Sequence, residues 1–276
     1  MKRKKLKNIA KILNDKYYTS PELAEYCVKK TEEIIGKENI TEYIEPSAGS
    51  GVFLDYLPEG TLAYDIEPED DKDRIIKADY LSLDLEYKKG RCVIGNPPFG
   101  ERNVLAVKFY KKAIAECDYI SFILPVSQYN NNQKMFEFDL IYSEDLGFKN
   151  YSGINLNCVF NIYKRNENGV RNKPINYTLN DVKVIEYRRG SKDELPQVYD
   201  FAMYTWGDGS CGKKIDYRGQ YAQEHYIIVK NPIYKNKVIE LCETTDWRHL
   251  YPSVSSAKLQ TWKIYKHIKE QIPEIE

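Results

Sequence analysis

The sequence is poor in the residues that build metal and disulfide sites. Its six cysteines are scattered along 276 residues, and no two of them form a C-x-x-C pair. Its three histidines, His225, His249 and His267, all lie in the last quarter of the chain. We therefore expect neither a zinc site nor a disulfide framework, and we predict reduced, mostly buried cysteines.

Long apolar runs and an excess of charge are also absent. No run approaches the length of about eighteen residues that a membrane-spanning helix needs. Residues 1–7 are basic, but no apolar signal core follows them, so we expect no secretory signal, no membrane contact and a cytoplasmic location. Acidic and basic residues number 41 each, so binding of nucleic acid would depend on local charge. The basic segment 1–7 is either a phosphate-binding arm or a solvated tail.

The pattern of apolar residues predicts an α/β domain. Residues 21–35 have helical spacing, and Ser20 or Thr19 before Pro21 is a helix-start signal. Five strand-like runs follow, at residues 41–44, 61–64, 75–78, 92–95 and 119–124, with a helical segment at 104–116 between the last two. This alternation indicates a parallel sheet. Residues 154–164 are expected to add a further, antiparallel strand.

Each of the first four runs leads into a polar residue. These residues are Glu45, Asp65, Asp79 and Asn96. Ligands of open parallel sheets bind just beyond the carboxyl ends of the strands. The four side chains are therefore predicted to line one pocket.

A glycine-rich turn, residues 45–51 (EPSAGSG), follows the first run. Gly49 and Gly51 permit a sharp turn, but the third glycine of the dinucleotide motif G-x-G-x-x-G is missing. Glu45 would repel a phosphate and attract an ammonium group. Asp65 could accept hydrogen bonds from both hydroxyls of a ribose. The pair favours S-adenosylmethionine over NAD as the cofactor.

The same cofactor would place its adenine near the next two motifs. Asp79 could accept a hydrogen bond from the adenine amino group. Ile66 and Tyr80 would then flank the adenine ring.

The sharpest motif is Asn96-Pro97-Pro98-Phe99. An amino group conjugated to an aromatic ring is a poor nucleophile because its lone pair is delocalised. Two fixed acceptors on its N–H bonds, the Asn96 side-chain oxygen and the Pro97 carbonyl, would favour a pyramidal nitrogen. The prolines stiffen the loop, and Phe99 can stack on a target base. The alternative is an ordinary proline-containing turn.

With its motifs in this order, the chain resembles the adenine-specific DNA methyltransferases of the gamma motif order, whose catalytic motif is [DNS]-P-P-[FYW]. The resemblance covers about residues 17–165, beginning with the leading motif at 17–23 (YYTSPEL). It implies a Rossmann-like S-adenosylmethionine-dependent methyltransferase sheet with a smaller C-terminal lobe. It implies transfer of a methyl group to N6 of adenine, in DNA rather than RNA, with base flipping. A cognate restriction enzyme is an expected partner.

The resemblance also implies roles for individual residues. The cofactor-binding residues would be Thr19 (near the methionine carboxylate), Glu45, Ser47, Gly49, Gly51, Asp65, Ile66, Asp79, Tyr80 and Asn96, and the catalytic residues Asn96, Pro97, Pro98 and Phe99. Phe160 or Tyr163 could stack on the other face of a flipped base, although core packing on a strand is the favoured interpretation. Asp65 departs mildly from the pair of acids, or the glutamate, that family members usually have at the end of the second strand.

A loop signal at residues 166–169 divides the predicted domains. Residues 1–165 would form the catalytic domain, and residues 166–276 a target-recognition or substrate-binding lobe. The segment 206–212 (WGDGSCG) is either a loop that enters a DNA groove or a hairpin turn. Basic residues of this lobe could contact phosphates or form solvated faces; they are Arg188, Arg189, Lys213, Lys214 and Arg218.

Three other functions fit parts of the pattern. An RNA adenine methyltransferase would use the same chemistry on a base that is already unpaired. A methyltransferase acting on a glutamine side-chain amide in a protein would meet the same conjugated nitrogen. A silent binding module is the third, but the intact Asn96 and both cofactor acids count against it.

Overall fold

A computed structural model describes residues 18–69, 73–151, 154–192, 194–206, 211–250 and 258–276. The chain divides into two units, Met1–Pro174 and Ile175–Glu276. The basic segment 1–7, Tyr17 of the leading motif and residues 207–210 of the glycine-rich stretch lie outside the described residues.

The larger unit is built on a seven-stranded sheet with the order β3-β2-β1-β4-β5-β7-β6. The strands are β1 Glu42–Glu45, β2 Leu62–Asp65, β3 Ile76–Lys77, β4 Arg91–Gly95, β5 Tyr119–Pro125, β6 Asp139–Tyr151 and β7 Ile154–Lys164. Strands β1 to β5 are parallel, and β7 lies antiparallel between β5 and β6. The fold is therefore the α/β, Rossmann-like sheet that the sequence predicts.

Both faces of the central strands are covered, because every residue of β4 and nearly every residue of β5 is buried. Successive side chains of a strand point to opposite faces. Val93 therefore packs with Phe109 and Tyr110 of helix α2 (Val104–Ala113). Its neighbour Cys92 packs on the other face, with Leu23 and Cys27 of helix α1 (Pro21–Ile35).

The predicted ends of helix α1 are confirmed. The Ser20 hydroxyl accepts a hydrogen bond from the Leu23 N–H at 3.3 Å, and Pro21 occupies the first turn. The helix ends at Gly36, whose φ of 84° suits a residue without a Cβ. Helix α2 ends at Ala113 rather than at residue 116, because Ala115 and Glu116 donate to carbonyls three residues back and tighten the last turn.

The strand order reverses between β1 and β4. From β1 the chain proceeds outward to β2 and β3, whereas from β4 it proceeds to β5 on the other side. The loops after β1 and β4 therefore diverge and leave a crevice at the carboxyl edge of the sheet. Glu45 ends β1, and Asn96 directly follows β4.

The smaller unit has a three-stranded antiparallel sheet with the order β8-β10-β9. Its strands are β8 Val182–Arg188, β9 Phe201–Tyr204 and β10 Gln223–Val229, and its helices are α3 Lys235–Thr244, α4 Trp247–Leu250 and α5 Thr261–Gln271. Its core includes Ile227 of β10, Trp247 of α4 and Ile264 of α5.

The division between the units falls after Pro174, whereas the loop signal in the sequence predicts it after residue 165. Two hydrogen bonds tie the intervening residues to the larger unit. The Asn172 N–H donates to the Glu137 carbonyl at 2.9 Å, and its Nδ2 donates to Asp139 at 2.8 Å. Across the described ranges, no helix combines the length and the apolar character needed to cross a membrane.

Candidate active site at the carboxyl edge of the sheet

A cavity of about 300 Å³ opens in the larger unit, where β1, β2 and β4 end. Its size lies in the range of small-molecule sites. The structure brings eleven of the predicted site residues into its lining: Thr19, Glu45, Ser47, Gly49, Asp65, Ile66, Asp79, Tyr80, Asn96, Pro97 and Pro98. The four strand-end residues thus meet in one pocket, as their spacing along the chain indicates.

Gly51 and Phe99 do not line the cavity. Gly51 shapes the turn, with a φ of 76° and an N–H that donates to the Ala48 carbonyl at 2.8 Å. Phe99 is 8% exposed and packs in the cluster that contains α1, so its stacking on a target base stays a prediction. Phe160 and Tyr163 are fully buried in the sheet core, which confirms the core-packing interpretation.

Glu45 is a buried carboxylate in the wall of the cavity, 2% exposed. Its Oε2 has no hydrogen-bond partner among the described residues. Burial raises the pKa of Glu45 well above its ordinary value, and the nearby charge of Asp65 raises it further, while Arg74 opposes the shift. Such a carboxylate favours a cationic or hydrogen-bond-donating ligand.

Asp65 holds the glycine-rich turn against the end of β2. Its Oδ2 accepts from the Gly49 N–H and its Oδ1 from the Glu67 N–H, both at 2.8 Å. Gly49 adopts a φ of 55°, which side-chain-bearing residues rarely adopt. Each carboxylate oxygen has a second lone pair, so Asp65 can also accept from a ligand hydroxyl. The turn is thus shaped before any ligand arrives.

Asp79 and Tyr80 are neighbours in the lining of the cavity. The Asp79 carboxylate caps a short 3₁₀ helix, Tyr80–Ser82, by accepting from the Leu81 N–H at 3.0 Å. The Tyr80 ring stacks on Phe109 with centroids 5.8 Å apart, and its hydroxyl donates to Glu116. Ile66, 57% exposed, contributes an apolar side chain to the same cavity. These flat and apolar surfaces suit a planar ring.

Asn96 is held by two other segments. Its Nδ2 donates to the Thr19 Oγ1 at 3.1 Å, and Oδ1 lies on the other side of the amide. Its backbone carbonyl accepts from the Ser47 hydroxyl at 3.4 Å. The segment before α1, the glycine-rich turn and the loop of the Asn-Pro-Pro-Phe motif therefore meet at this one residue.

The loop after the Asn-Pro-Pro-Phe motif has an unusual backbone. Arg102 and Asn103, with φ of 54° and 63°, are both left-handed although neither is glycine. Asn103 Nδ2 donates to the Ser127 hydroxyl at 3.0 Å, which ties this loop to the residues after β5. Local strain of this kind concentrates at functional sites.

The cavity also has lining residues that the motifs did not predict: Tyr18, Pro46, Ala48, Ser50, Val52, Phe53, Glu67, Ala78, Leu81, Leu105 and Phe109. Most are neighbours of the motifs, and that adjacency was the available signal. Leu105 and Phe109 lie on α2, where no motif marks them. Tyr18 extends over Gly49, where its ring would lie 3.9 Å from an added Cβ, and its hydroxyl donates to Glu69.

The basic candidates of the smaller unit mostly bind within that unit. The contacts are Arg188 with Glu186, Arg189 with the Gly219 carbonyl, Lys214 with Glu243 and Arg218 with Gln197. Lys213 is exposed. Within the parts of the chain that are described, no group of three or more His, Cys, Asp or Glu residues is placed to hold a metal ion.

No family model matches the chain, and no curated protein matches it. Among solved structures, a putative RNA methyltransferase of Pyrococcus horikoshii is 14% identical, with a TM-score of 0.43, over 54% of this chain and 86% of that one. The 23S rRNA methyltransferase ErmE is 11% identical, with a TM-score of 0.41, over 55% of this chain and 70% of that one.

A magnesium protoporphyrin IX methyltransferase of Synechocystis, solved with its S-adenosylmethionine, is 10% identical with a TM-score of 0.39. That similarity covers 52% of this chain and 79% of the other. At TM-scores below 0.5, these three likenesses assign no substrate or residue role to this chain.

Proposed function

We propose that this protein transfers a methyl group from S-adenosylmethionine to the N6 amino group of adenine in DNA. The observation that carries the proposal is the convergence of Asn96 and Pro97 with Glu45 and Asp65 in one cavity at the point where the strand order reverses. Neither the pair Asn96 and Pro97 nor the pair Glu45 and Asp65 is distinctive alone. Together the two pairs combine acceptors for an amino group with a pocket for a cationic nucleoside.

The residues of the cavity fit S-adenosylmethionine. Glu45 presents a buried carboxylate whose Oε2 lacks a partner within the described chain, and the ammonium group of the cofactor would supply one. Asp65 retains lone pairs for ribose hydroxyls. Asp79 lies beside the stacked rings of Tyr80 and Phe109, where an adenine amino group could donate to it. When bound, the cofactor supplies an electrophilic methyl carbon, which passes to the amino nitrogen as the sulfonium becomes a thioether and one amino proton leaves to water.

The contribution of the chain is to hold acceptors in place. Asn96 Oδ1 and the Pro97 carbonyl would accept the two N–H bonds of the target amino group, favouring a pyramidal nitrogen with an available lone pair. The prolines fix φ at residues 97 and 98, and Thr19 and Ser47 hold Asn96. Preorganised dipoles of this kind need no rearrangement during the reaction.

The order of the motifs supports nucleic acid as the substrate, because the resemblance is to DNA adenine methyltransferases. In duplex DNA the amino group is paired, so the adenine must leave the stack to reach the cavity. A cognate restriction enzyme remains part of the proposal. An adenine in RNA and the side-chain amide of a glutamine each carry a similar nitrogen, which could donate to the same two acceptors.

The test is transfer of labelled methyl from S-adenosylmethionine to unmethylated genomic DNA, with bulk RNA and a protein extract in parallel, followed by nucleoside and amino-acid analysis. We expect N6-methyladenine in DNA. Label in RNA alone would replace DNA by RNA as the substrate, and label on glutamine would replace nucleic acid altogether. Cofactor binding without transfer to any of the three substrates would contradict the proposal.

A further inference from the structure

We infer that Thr19 is a positioning residue whose hydroxyl orients the Asn96 amide. This inference rests on the proposed function of the cavity. Thr19 is 8% exposed, and its Oγ1 accepts the hydrogen bond from Asn96 Nδ2 at 3.1 Å. Both residues line the cavity.

The orientation of an asparagine amide decides whether it can bind an amino group. Its oxygen accepts hydrogen bonds, whereas its nitrogen only donates them. If Asn96 turned by 180°, its Nδ2 would face the N–H bonds of the target and the two donors would oppose each other. When Nδ2 donates to Thr19, Oδ1 lies on the side of the amide that faces away from Thr19. A hydroxyl can also donate to an amide oxygen, so this orientation holds while the Thr19 proton is directed to another acceptor.

The position of Thr19 is itself fixed by the fold. Ser20, its neighbour, caps α1 through a side-chain hydrogen bond to Leu23, and its carbonyl accepts from the Ala24 N–H at 3.0 Å. Leu23 and Ala24 pack in the same buried cluster as Ile94 of β4. Asn96 leaves the sheet two residues after Ile94. The hydroxyl and the amide are therefore carried by two elements that pack together.

The two possible roles of Thr19 predict different changes in different constants. A ligand of the cofactor carboxylate would alter the dissociation constant of S-adenosylmethionine. A positioning residue would alter kcat at saturating cofactor, because a misoriented amide still permits the cofactor to bind. The two roles can therefore be separated in one set of variants.

The variants are Thr19→Val, which keeps the shape but removes the hydroxyl, and Thr19→Ser, which restores it. We expect Thr19→Val to lower kcat about five- to tenfold, the loss of one hydrogen bond, with the cofactor Kd from calorimetry within about twofold of the wild type. Thr19→Ser should recover most of kcat. The matched control is Thr31→Val, since Thr31 is a fully buried threonine of α1 whose hydroxyl donates only to the Cys27 carbonyl.

A second readout does not depend on turnover. The side-chain amide signals of Asn96, assigned by their absence in Asn96→Ala, should shift and exchange faster in Thr19→Val than in Thr19→Ser or Thr31→Val. If no substrate is methylated, the proposed function fails while these signals still decide the role of Thr19. Unchanged signals, or a tenfold weaker cofactor Kd with kcat retained, would overturn the inference.

Discussion

Glu45 and Glu116 are both buried in the larger unit, 2% and 0% exposed, yet their surroundings differ. Glu116 lies in the turn before β5, where Tyr80 donates to one carboxylate oxygen and Lys112 pairs with the other at 2.8 Å. Glu45 lies in the cavity, and its Oε2 has no such partner in the described part of the chain. Both carboxylate oxygens of Glu116 therefore have partners within the fold, whereas Oε2 of Glu45 has none among the described residues.

This difference separates an acid that the fold itself compensates from one that the fold leaves uncompensated. A buried carboxylate costs free energy unless hydrogen bonds or an opposite charge compensate it. Glu116 receives both from its own unit, so its compensation does not need a ligand. We expect Glu45 to receive its compensation from a ligand with a positive charge. Under the proposed function, the cavity is therefore the region where the fold loses stability in favour of binding.

Asn96→Ala is the strongest way to challenge the cavity as the functional region. We expect kcat for methyl transfer to fall about 10²- to 10³-fold, the typical cost of one preorganised hydrogen-bonding group at a reacting centre. The cofactor Kd from calorimetry should change little, because Glu45 and Asp65 remain. The control is Asn168→Ala, in the exposed loop at residues 166–169. Full activity in Asn96→Ala would remove the proposed role of the motif.

His225 extends the comparison to the smaller unit. It is fully buried, and burial lowers its pKa from 6.5 to about 4, with Glu186 and Lys258 acting in opposite directions. Because the unfolded chain takes up a proton below pH 6.5 and the folded chain does not, stability is full above that pH. We expect about 3 kcal/mol of it to be lost as the pH falls to about 4.

Urea unfolding followed by tryptophan fluorescence measures this loss. All three tryptophans, Trp206, Trp247 and Trp262, belong to the smaller unit, so the signal reports that unit. His225→Gln should flatten the pH dependence between pH 6.5 and 4. An equally steep dependence in the variant would show that other groups cause it.

Glu116→Gln tests the other side of the comparison. We expect the free energy of unfolding to fall by about 2 kcal/mol, because the charge that pairs with Lys112 is removed and one of the two acceptor oxygens for Tyr80 and Lys112 becomes an amide nitrogen. Methyl transfer at a temperature where the variant stays folded should be within about twofold of the wild type. Scanning calorimetry measures the first and the transfer assay the second. Glu25→Gln, which breaks only an exposed helix pair with Lys29, is the control and should leave Tm unchanged.

Glu45→Gln should have the smallest effect on stability, and in the opposite direction. The pKa of Glu45 is higher in the folded chain than its ordinary value of 4.5. Ionised Glu45 therefore destabilises the fold increasingly as the pH rises above 4.5. We expect the variant to have a Tm higher by a few degrees at pH 7, with no gain at pH 4, and a weaker cofactor Kd. Calorimetry measures all three. A lower Tm at pH 7 would contradict the contrast with Glu116.

Local patterns were enough to predict much of the larger unit. Helix α1 and strand β7 have the predicted bounds, and the other predicted strands shift by about one residue. Strand β6 was missed for a physical reason. Its register shifts at Leu140/Tyr142 and at Asp145/Gly147, and each irregularity interrupts the alternation of buried and exposed residues on which prediction depends. The boundary between the units was placed too early because a loop signal does not show which side the loop binds.

The sequence by itself determined which chemistry stands at the strand ends. Parallel strands deliver their last residues to one edge of the sheet, so Glu45, Asp65, Asp79 and Asn96 had to gather there. Only the tertiary structure decided what each residue touches. Thr19 and Asn96 are 77 positions apart, and Tyr80 and Glu116 are 36 apart. The number of positions between such residues does not give their distance in space, because the packing of α1 and α2 on the sheet sets that distance.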